Sequence, residues 1–364
     1  MCCIMKVTKQ TFATFTRKKV PLANTIHHSS FLYNQFKKLN LCKFYSNRVI
    51  NHLMSILISI FISGYHGKIT DFAKNSSFHR TTITHFLNSG KWNDSLLSDT
   101  LKQSVIEIIY SEAARTGNPV FCIVDDTIAS KTKPLSRALH PIEDAYFHQS
   151  HLKKKQDYGH QAVAVMLSCN GFVLNYAFVM YNKSISKIDI VQNIAKELPA
   201  PLVMSYLLCD CWYVSEKIIN TFAQKGFHTI GALKTNRLLY PSGMKKKLSE
   251  LAAELSVTHN GFDLATVKKR KYYVYRWSIE IFFRQCKDKM ALDGYQLCSA
   301  QRIKRYWLLM SLAHFMCIAG TGEFCSFETR YHKICGIVQL EKYRYLFQCA
   351  KESDDFDSFI KLAG

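Results

Sequence analysis

Apolar and polar positions alternate with different periods along the chain, and each change of period predicts an element. Residues 54–65 (MSILISIFISGY) are almost continuously apolar. The run is too short to cross a bilayer and predicts a helix buried in a core. Ile69, Phe72 and Ala73 then give one helical stripe, and Ile83, Phe86 and Leu87 a second, with the polar stretch KNSS between them. This is helix-turn-helix patterning, with a second helix over about residues 79–88 that points Arg80, Thr81, Thr82 and Thr84 outward. An ordinary helical hairpin has the same pattern.

From residue 118 the period shortens. NPVFCIVDDT (118–127) is rich in β-formers and predicts a buried strand ending in two aspartates. A basic polar loop follows. Residues 160–181 are two apolar runs joined by Asn170-Gly171, a strong hairpin signal. KIDIVQNIAKEL predicts a helix, and residues 201–210 a second buried strand, again closed by an aspartate. A helix over about 214–225 and a strand over 227–233 complete the series. Residues 234–271 are polar, basic and in places strand-prone, as an insertion would be. Two helical segments follow, over 273–287 and 299–320, and the tail is uninformative. The order predicts an α/β protein with a mixed sheet and flanking helices. Four units are expected: a basic arm (1–50), a helical DNA-binding domain (51–112), a catalytic domain (113–320) with an insertion at about 235–271, and a C-terminal region (321–364).

Charge narrows the partner. Lys and Arg number 48 against 27 acids, a formal net charge of +21, and residues 1–70 hold no acid at all. Such an excess points to a polyanion, above all nucleic acid, rather than to a membrane. The acid-free start reads as a DNA-contacting arm; a transit peptide or a start codon placed too early are the alternatives. The 13 cysteines are scattered without zinc-site spacing, as for reduced thiols in the cytoplasm.

The stretch YVYRWSIEIFFRQCK (273–287) carries the chemistry. At about 100° per residue, Tyr273, Arg276, Glu280 and Lys287 share an arc of about 60°, joined by Arg284, and Tyr275, Ile279, Phe282 and Cys286 lie opposite. A salt-bridged helix face explains this as far as it goes, because Arg276–Glu280 and Glu280–Arg284 are i, i+4 pairs. Two further acids end buried strands, however, where ligands gather on such sheets. Carboxylates drawn together there repel unless a divalent cation shares them, and Mg²⁺ is the natural one, with Mn²⁺ as an alternative. A carboxylate–metal site on a basic surface implies phosphodiester chemistry.

Tyr273-x2-Arg276-x3-Glu280-x6-Lys287 resembles the Y-R-E-K signature of bacterial insertion-sequence transposases of the DDE class, insertion-sequence family four. VDDT and LLCDCWY resemble the segments with that family's first two aspartates; GALKTNR and HFLNSGKW also look like family segments. The resemblance covers roughly residues 71–318. It implies a ribonuclease-H-like core with a β-rich insertion before the glutamate helix, a catalytic and metal-binding triad of Asp125, Asp210 and Glu280, and phosphate contacts from Tyr273, Arg276 and Lys287. Asp126 is the alternative first ligand; the family's Asp-x-Thr pattern favours Asp125. The implied partners are the double-stranded DNA of the element's ends and of the target, held by a homodimer at the nucleoid. Lys234 and Arg237, after the strand at 227–233, are further candidate DNA contacts, as are Arg80, Thr81 and Thr82. Trp212 as a stacking surface for a flipped base, His160 near the site, and Arg302, Lys304 and Arg305 as a basic helix face for DNA backbone contacts are further readings; each has a plainer one, as packing, a structural histidine and solvated charge respectively. A non-catalytic DNA-binding relative, or a nuclease of the same fold, is the alternative function.

Overall fold

In a computed structural model, residues 29–62, 65–138, 141–150, 154–234, 236–240, 243–254, 272–319 and 326–363 are described. At the centre stands β1 (Val120–Ser130), whose first six residues are all buried. β3 (Lys155–Cys169) runs antiparallel along one edge of it, from Phe121 opposite Ser168 to Ser130 opposite Gly159. On the other edge β5 (Ser205–Cys209) runs parallel, pairing Val120 with Ser205 and Val124 with Cys209, and β6 (Phe227–Gly231) runs parallel to β5. The outer edge of β3 pairs first with β2 (Tyr146–Ser150) and then with β4 (Phe172–Tyr181). Asn170 and Gly171 join β3 to β4 with φ of 48° and 85°, the positive pair that a tight two-residue hairpin requires. α7 (Lys187–Glu197) and α8 (Glu216–Gln224) cross over between the parallel strands and pack on each other.

The helical layer is built from both ends of the chain. α3 (Asn47–Phe61) has an unbroken buried run from Ile50 to Phe61, as its apolar sequence requires. α4 (Ile69–Lys74) and α5 (Arg80–Asn88) form the helix pair expected from the two stripes. α6 (Asp94–Thr116) lies against β1, β3 and β4. α11 (Ala300–Ala319) touches α3, α5, α6 and β4 and is apolar on nearly every side. α12 (Phe327–Lys351) packs on α1 (Ser30–Lys38), α3 and α11, and α13 (Phe356–Ala363) follows it. Among the described residues no helix is long and apolar enough to cross a membrane.

Three expectations change here. The arm drawn over 1–50 covers α1, α2 (Leu41–Phe44) and the start of α3. Its residues 30–50 are therefore helical and contribute Leu32, Phe36, Leu41 and Ile50 to the core; residues 1–28 lie outside the described residues. The uninformative tail is two helices, fastened to α1 by Glu341, which accepts from the Ser29 and Ser30 hydroxyls and from the Phe31 N–H. The polar loop before residue 155 contains β2, whose Phe147 and Gln149 face out and whose His148 and Ser150 are buried. The insertion at 235–271 shows β7 (Leu238–Leu239) paired with β8 (Lys246–Lys247) and then α9 (Leu248–Glu254); residues 255–271 lie outside the described residues.

Buried imidazoles make this fold acid-sensitive. His52 of α3 stacks on Phe78 and Phe86 at 3.8 and 4.6 Å, and burial brings it down to about 4. His314 of α11 stacks on Phe327, and burial holds it at about 3. Burial lowers His148 and His160 as well. A base with a depressed folded pKa contributes stability that is present above its unfolded value, ~6.5, and lost as pH falls toward the folded one. Asp125, raised to about 7 by burial, acts in the opposite sense, one group against four. The melting temperature is therefore expected to fall steadily from pH 7 to pH 4.5; a flat profile across that window would contradict the assignment.

Candidate active site

Alternation along β1 decides which of the paired aspartates faces where. Val124 is level with Cys209 across the parallel β1–β5 pair, so Asp125 and Asp210 are the next matched positions, on strands ~4.8 Å apart. Matched residues point to the same face. Asp126 points to the other.

Over the Asp125 face lies α10 (Trp277–Met290), entered through a 3₁₀ turn at Val274–Arg276 that touches both β1 and β5. Ile279, Phe282, Phe283 and Cys286 are buried and seat the helix, while Glu280, Arg284 and Lys287 stay on its open side. The tight turn moves Tyr275 off the buried face assigned to it: it is 42% exposed and stacks on Phe121 at 4.8 Å. Glu280 falls in the first turn, where the helix dipole favours an anion, and Lys287 in the last, where it favours a cation. Lys131 pins the far end. From the chain just past β1, its ammonium donates to the carbonyls of Asp293 and Tyr295, both at 2.6 Å, and lies 3.5 Å over the Tyr295 ring. Burial lowers Lys131 to about 8. His160 is wholly buried between the Tyr295 hydroxyl and the Glu143 carbonyl and belongs to this strut.

Arg276 stands among the acids. Its Nη1 donates to Asp125 Oδ2 at 2.6 Å and lies 3.7 Å from Glu280 Oε1. The guanidinium also sits 5.8 Å from the Tyr273 ring centre. Burial opposes its charge, but Asp125, Tyr273, Glu280 and Asp210 together raise its pKa. Asp125 is the group under most strain: burial drives its carboxyl up to about 7 and Glu280 adds to the rise, with the Asp126 N–H and Arg276 offsetting them only in part. Asp210 is held by its own turn, its Oδ1 accepting from the N–H groups of Trp212 at 2.9 Å and Tyr213 at 3.3 Å.

Two carboxylates share one guanidinium, with Asp210 past the end of the neighbouring strand, and hard oxygen donors of this kind suit Mg²⁺. In the arrangement observed, Arg276 stands between Asp125 and Glu280, and among the described residues no three His, Cys, Asp or Glu side chains lie close enough together to hold a metal ion.

A second cluster, not foreseen in the sequence, lies behind the first. Asp126 accepts from the Tyr213 hydroxyl at 2.7 Å, the Lys187 ammonium at 2.9 Å and the Gln161 amide at 2.5 Å. The signal was present in the doublet DD, since one of two adjacent strand residues must face away from the site. Lys187 also lies 4.5 Å over the ring of Trp212, which is 44% exposed.

The remaining candidates are spread out. Lys234 is exposed just past β6, and Arg237 is half-buried beyond it. Lys287 makes no ion pair among the described residues and lies two turns along α10 from Glu280. Arg80 and Thr81 are exposed and Thr82 half-buried on α5, whose other face packs on α11 rather than near the carboxylates. Lys304 is exposed, but Arg305 is buried and does not belong to a basic helix face for DNA.

β1 does not end at its aspartates as expected but runs on to Ser130; a mixed sheet with acids just where the parallel pairing of two adjacent strands stops, and a third acid on a helix laid across them, defines an acid-cluster α/β domain. The model of the transposase DDE domain family matches residues 116–316, more than half of the chain and the part that carries all three acids. The chain belongs to that family. No curated protein matches the sequence at a significant level. Among solved structures, a piggyBac transposase synaptic complex with hairpin DNA is similar at 11% identity and a TM-score of 0.45, covering 91% of this chain and 83% of that one.

Proposed function

We propose that this transposase-family chain cuts DNA at the ends of a mobile element and joins the ends to target DNA, with Asp125, Asp210 and Glu280 as its divalent-metal ligands. The observation that carries the reading is that Arg276, at the entry to α10, meets both Asp125 of β1 and Glu280 of α10, with Asp210 at the next position past the end of the β1–β5 pairing. Family membership supports phosphoryl-transfer chemistry, and the strand directions, with β3 antiparallel to β1, β4 antiparallel to β3, and β5 and β6 parallel to β1, support a ribonuclease-H-like core. The spacing of Tyr273, Arg276, Glu280 and Lys287 supports insertion-sequence family four. The net charge of +21 supports a DNA partner, and the need to pair two ends supports a homodimer. The α4–α5 pair, with Arg80 and Thr81 facing out, is the element we assign to DNA binding.

The residues divide the work. Asp125, Asp210 and Glu280 would hold the cation through their carboxylate oxygens. The chemistry that bound Mg²⁺ supplies is Lewis acidity toward the scissile phosphate and activation of the attacking water or 3′-hydroxyl. Arg276, displaced from Asp125, turns its planar fork to a phosphate, and Lys287 offers a point charge further along the same helix. Tyr273 donates its hydroxyl to the backbone beside them. Lys234 and Arg237 meet the DNA beyond the end of β6.

Metal removal tests this directly. Labelled DNA carrying the element's ends is expected to be cut in Mg²⁺, left intact in EDTA, and cut again when Mn²⁺ is added. Cutting that survives the chelator would exclude the metal-ligand role, and binding without cutting under every condition would favour the non-catalytic reading.

A further inference from the structure

The acid beside the proposed ligand is itself fully engaged, and with a residue from the other ligand's turn. Asp126 faces away from Asp125, with its side chain 19% exposed, and receives the hydroxyl of Tyr213, a side chain that is completely buried. The backbone of Tyr213 faces the opposite way: its N–H donates to Asp210 Oδ1 and to the Asp210 carbonyl, each at 3.3 Å. One residue thus closes the turn that holds the Asp210 carboxylate and anchors that turn to the strand that carries Asp125. The anchor is braced on its other sides by Gln161 of β3 and by Lys187, the first residue of α7, which reaches both Asp126 and the Trp212 ring. The β1–β5 ladder stops at Cys209, so the Tyr213–Asp126 hydrogen bond ties the segment beyond that ladder directly to β1.

We infer that Asp126 and Tyr213 are positioning residues that set the separation of the Asp125 and Asp210 carboxylates from behind the sheet. The inference rests on the reading of those two carboxylates as ligands of a shared metal. A cation bridging them requires placement to within a few tenths of an ångström, and side chains behind such ligands commonly change metal affinity or activity by ~10–100-fold. The doublet Asp125-Asp126 therefore divides two tasks between the faces of one strand: one carboxylate enters the site and the other fixes its partner's turn. A role in folding alone predicts loss of stability with metal affinity unchanged.

The test is a calorimetric titration of Mn²⁺ into the full chain, with thermal melting of each variant. Tyr213→Phe removes one hydroxyl and keeps the packing; Asp126→Ala removes the acceptor, whereas Asp126→Asn retains one for Tyr213. Mn²⁺ affinity is expected to fall ~10–100-fold in Tyr213→Phe and Asp126→Ala, to stay within a few-fold of wild type in Asp126→Asn, and to fall no further in the double variant Asp126→Ala/Tyr213→Phe than in the weaker single. Amide hydrogen exchange at Trp212 and Tyr213 is expected to quicken in the same variants. Wild-type Mn²⁺ affinity in Tyr213→Phe, while Asp210→Ala has lost it, overturns the positioning role and leaves the ligand assignment standing. Undiminished affinity in Asp210→Ala removes the ligand assignment and the positioning role with it. Should Tyr213→Phe not fold, the Asp126→Asn and Asp126→Ala pair makes the same comparison, and equal affinities there overturn the inference.

Discussion

Asp125→Asn is expected to abolish DNA cutting while leaving the fold almost as stable as wild type. The two effects come from the same burial. Without a metal, the carboxyl titrates at about 7 because desolvation and the nearby Glu280 outweigh Arg276 and the Asp126 N–H. Burial thus favours its neutral form, so an isosteric amide replaces a group already pushed toward neutrality. The amide oxygen can still accept from Arg276, which also keeps Glu280 at 3.7 Å. The change in stability should stay within ~1 kcal/mol, the net worth of a hydrogen bond. Cutting has no such substitute, since an amide is a poor ligand for a hard cation. Loss of several kcal/mol of transition-state charge stabilisation, at ~1.4 kcal/mol per tenfold, predicts a rate lower by at least ~10³. Single-turnover cleavage of element-end DNA, set beside a melting curve, reads both. Cutting at the wild-type rate would remove Asp125 from the site, and a large drop in melting temperature would make it a structural acid instead.

The parts of this molecule that the sequence announces are those where one periodicity runs unbroken. The β3–β4 hairpin was legible because Asn170-Gly171 sits between two apolar runs, and α3 because only Ser55 and Ser59 break the apolar run over residues 54–62. α10 was legible because its polar stripe and apolar stripe keep the 3.6-residue period, though the 3₁₀ turn at its start moved Tyr275 to the surface. β2 was hidden because an edge strand of mixed burial looks like a polar loop. α12 was hidden for a different reason: only Phe327, Arg330, Ile334, Val338 and Cys349 of its 25 residues are buried, too sparse a stripe to mark a helix. At the site, strand ends and spacing pointed to the three acids. They could not show that Arg276 stands between two of them, or that Asp126 reaches Tyr213, because both contacts join segments more than 80 residues apart.

Arg305 shows the same limit with the largest consequence for stability. In the sequence it reads as part of a basic face at 302–305; in the fold it is 7% exposed and holds the helical layer together. Its Nε donates to Asp94 Oδ2 at 2.9 Å, Nη1 to the Phe86 and Leu87 carbonyls at 3.1 and 3.5 Å, and Nη2 to the Trp92 carbonyl at 3.4 Å. The guanidinium also lies 4.8 Å from the Trp92 ring centre. Phe86 and Leu87 are in the last turn of α5, whose carbonyls lack partners within the helix. A residue of α11 thus caps α5 and ties it to the start of α6. Arg305→Ala leaves the Leu87 and Trp92 carbonyls and Asp94 without this donor. It is expected to cost about 3 kcal/mol, the low end for breaking a buried pair, because Asp94 is one-third exposed. Arg305→Lys keeps the charge but not the fork that reaches several acceptors and should fall between. Denaturant midpoints measure the loss, and hydrogen exchange should locate it in α5 before the sheet. If Arg305 instead gripped DNA, the alanine variant would melt like wild type and its DNA affinity would depend less steeply on salt; that outcome would return it to the surface face from which the structure removes it.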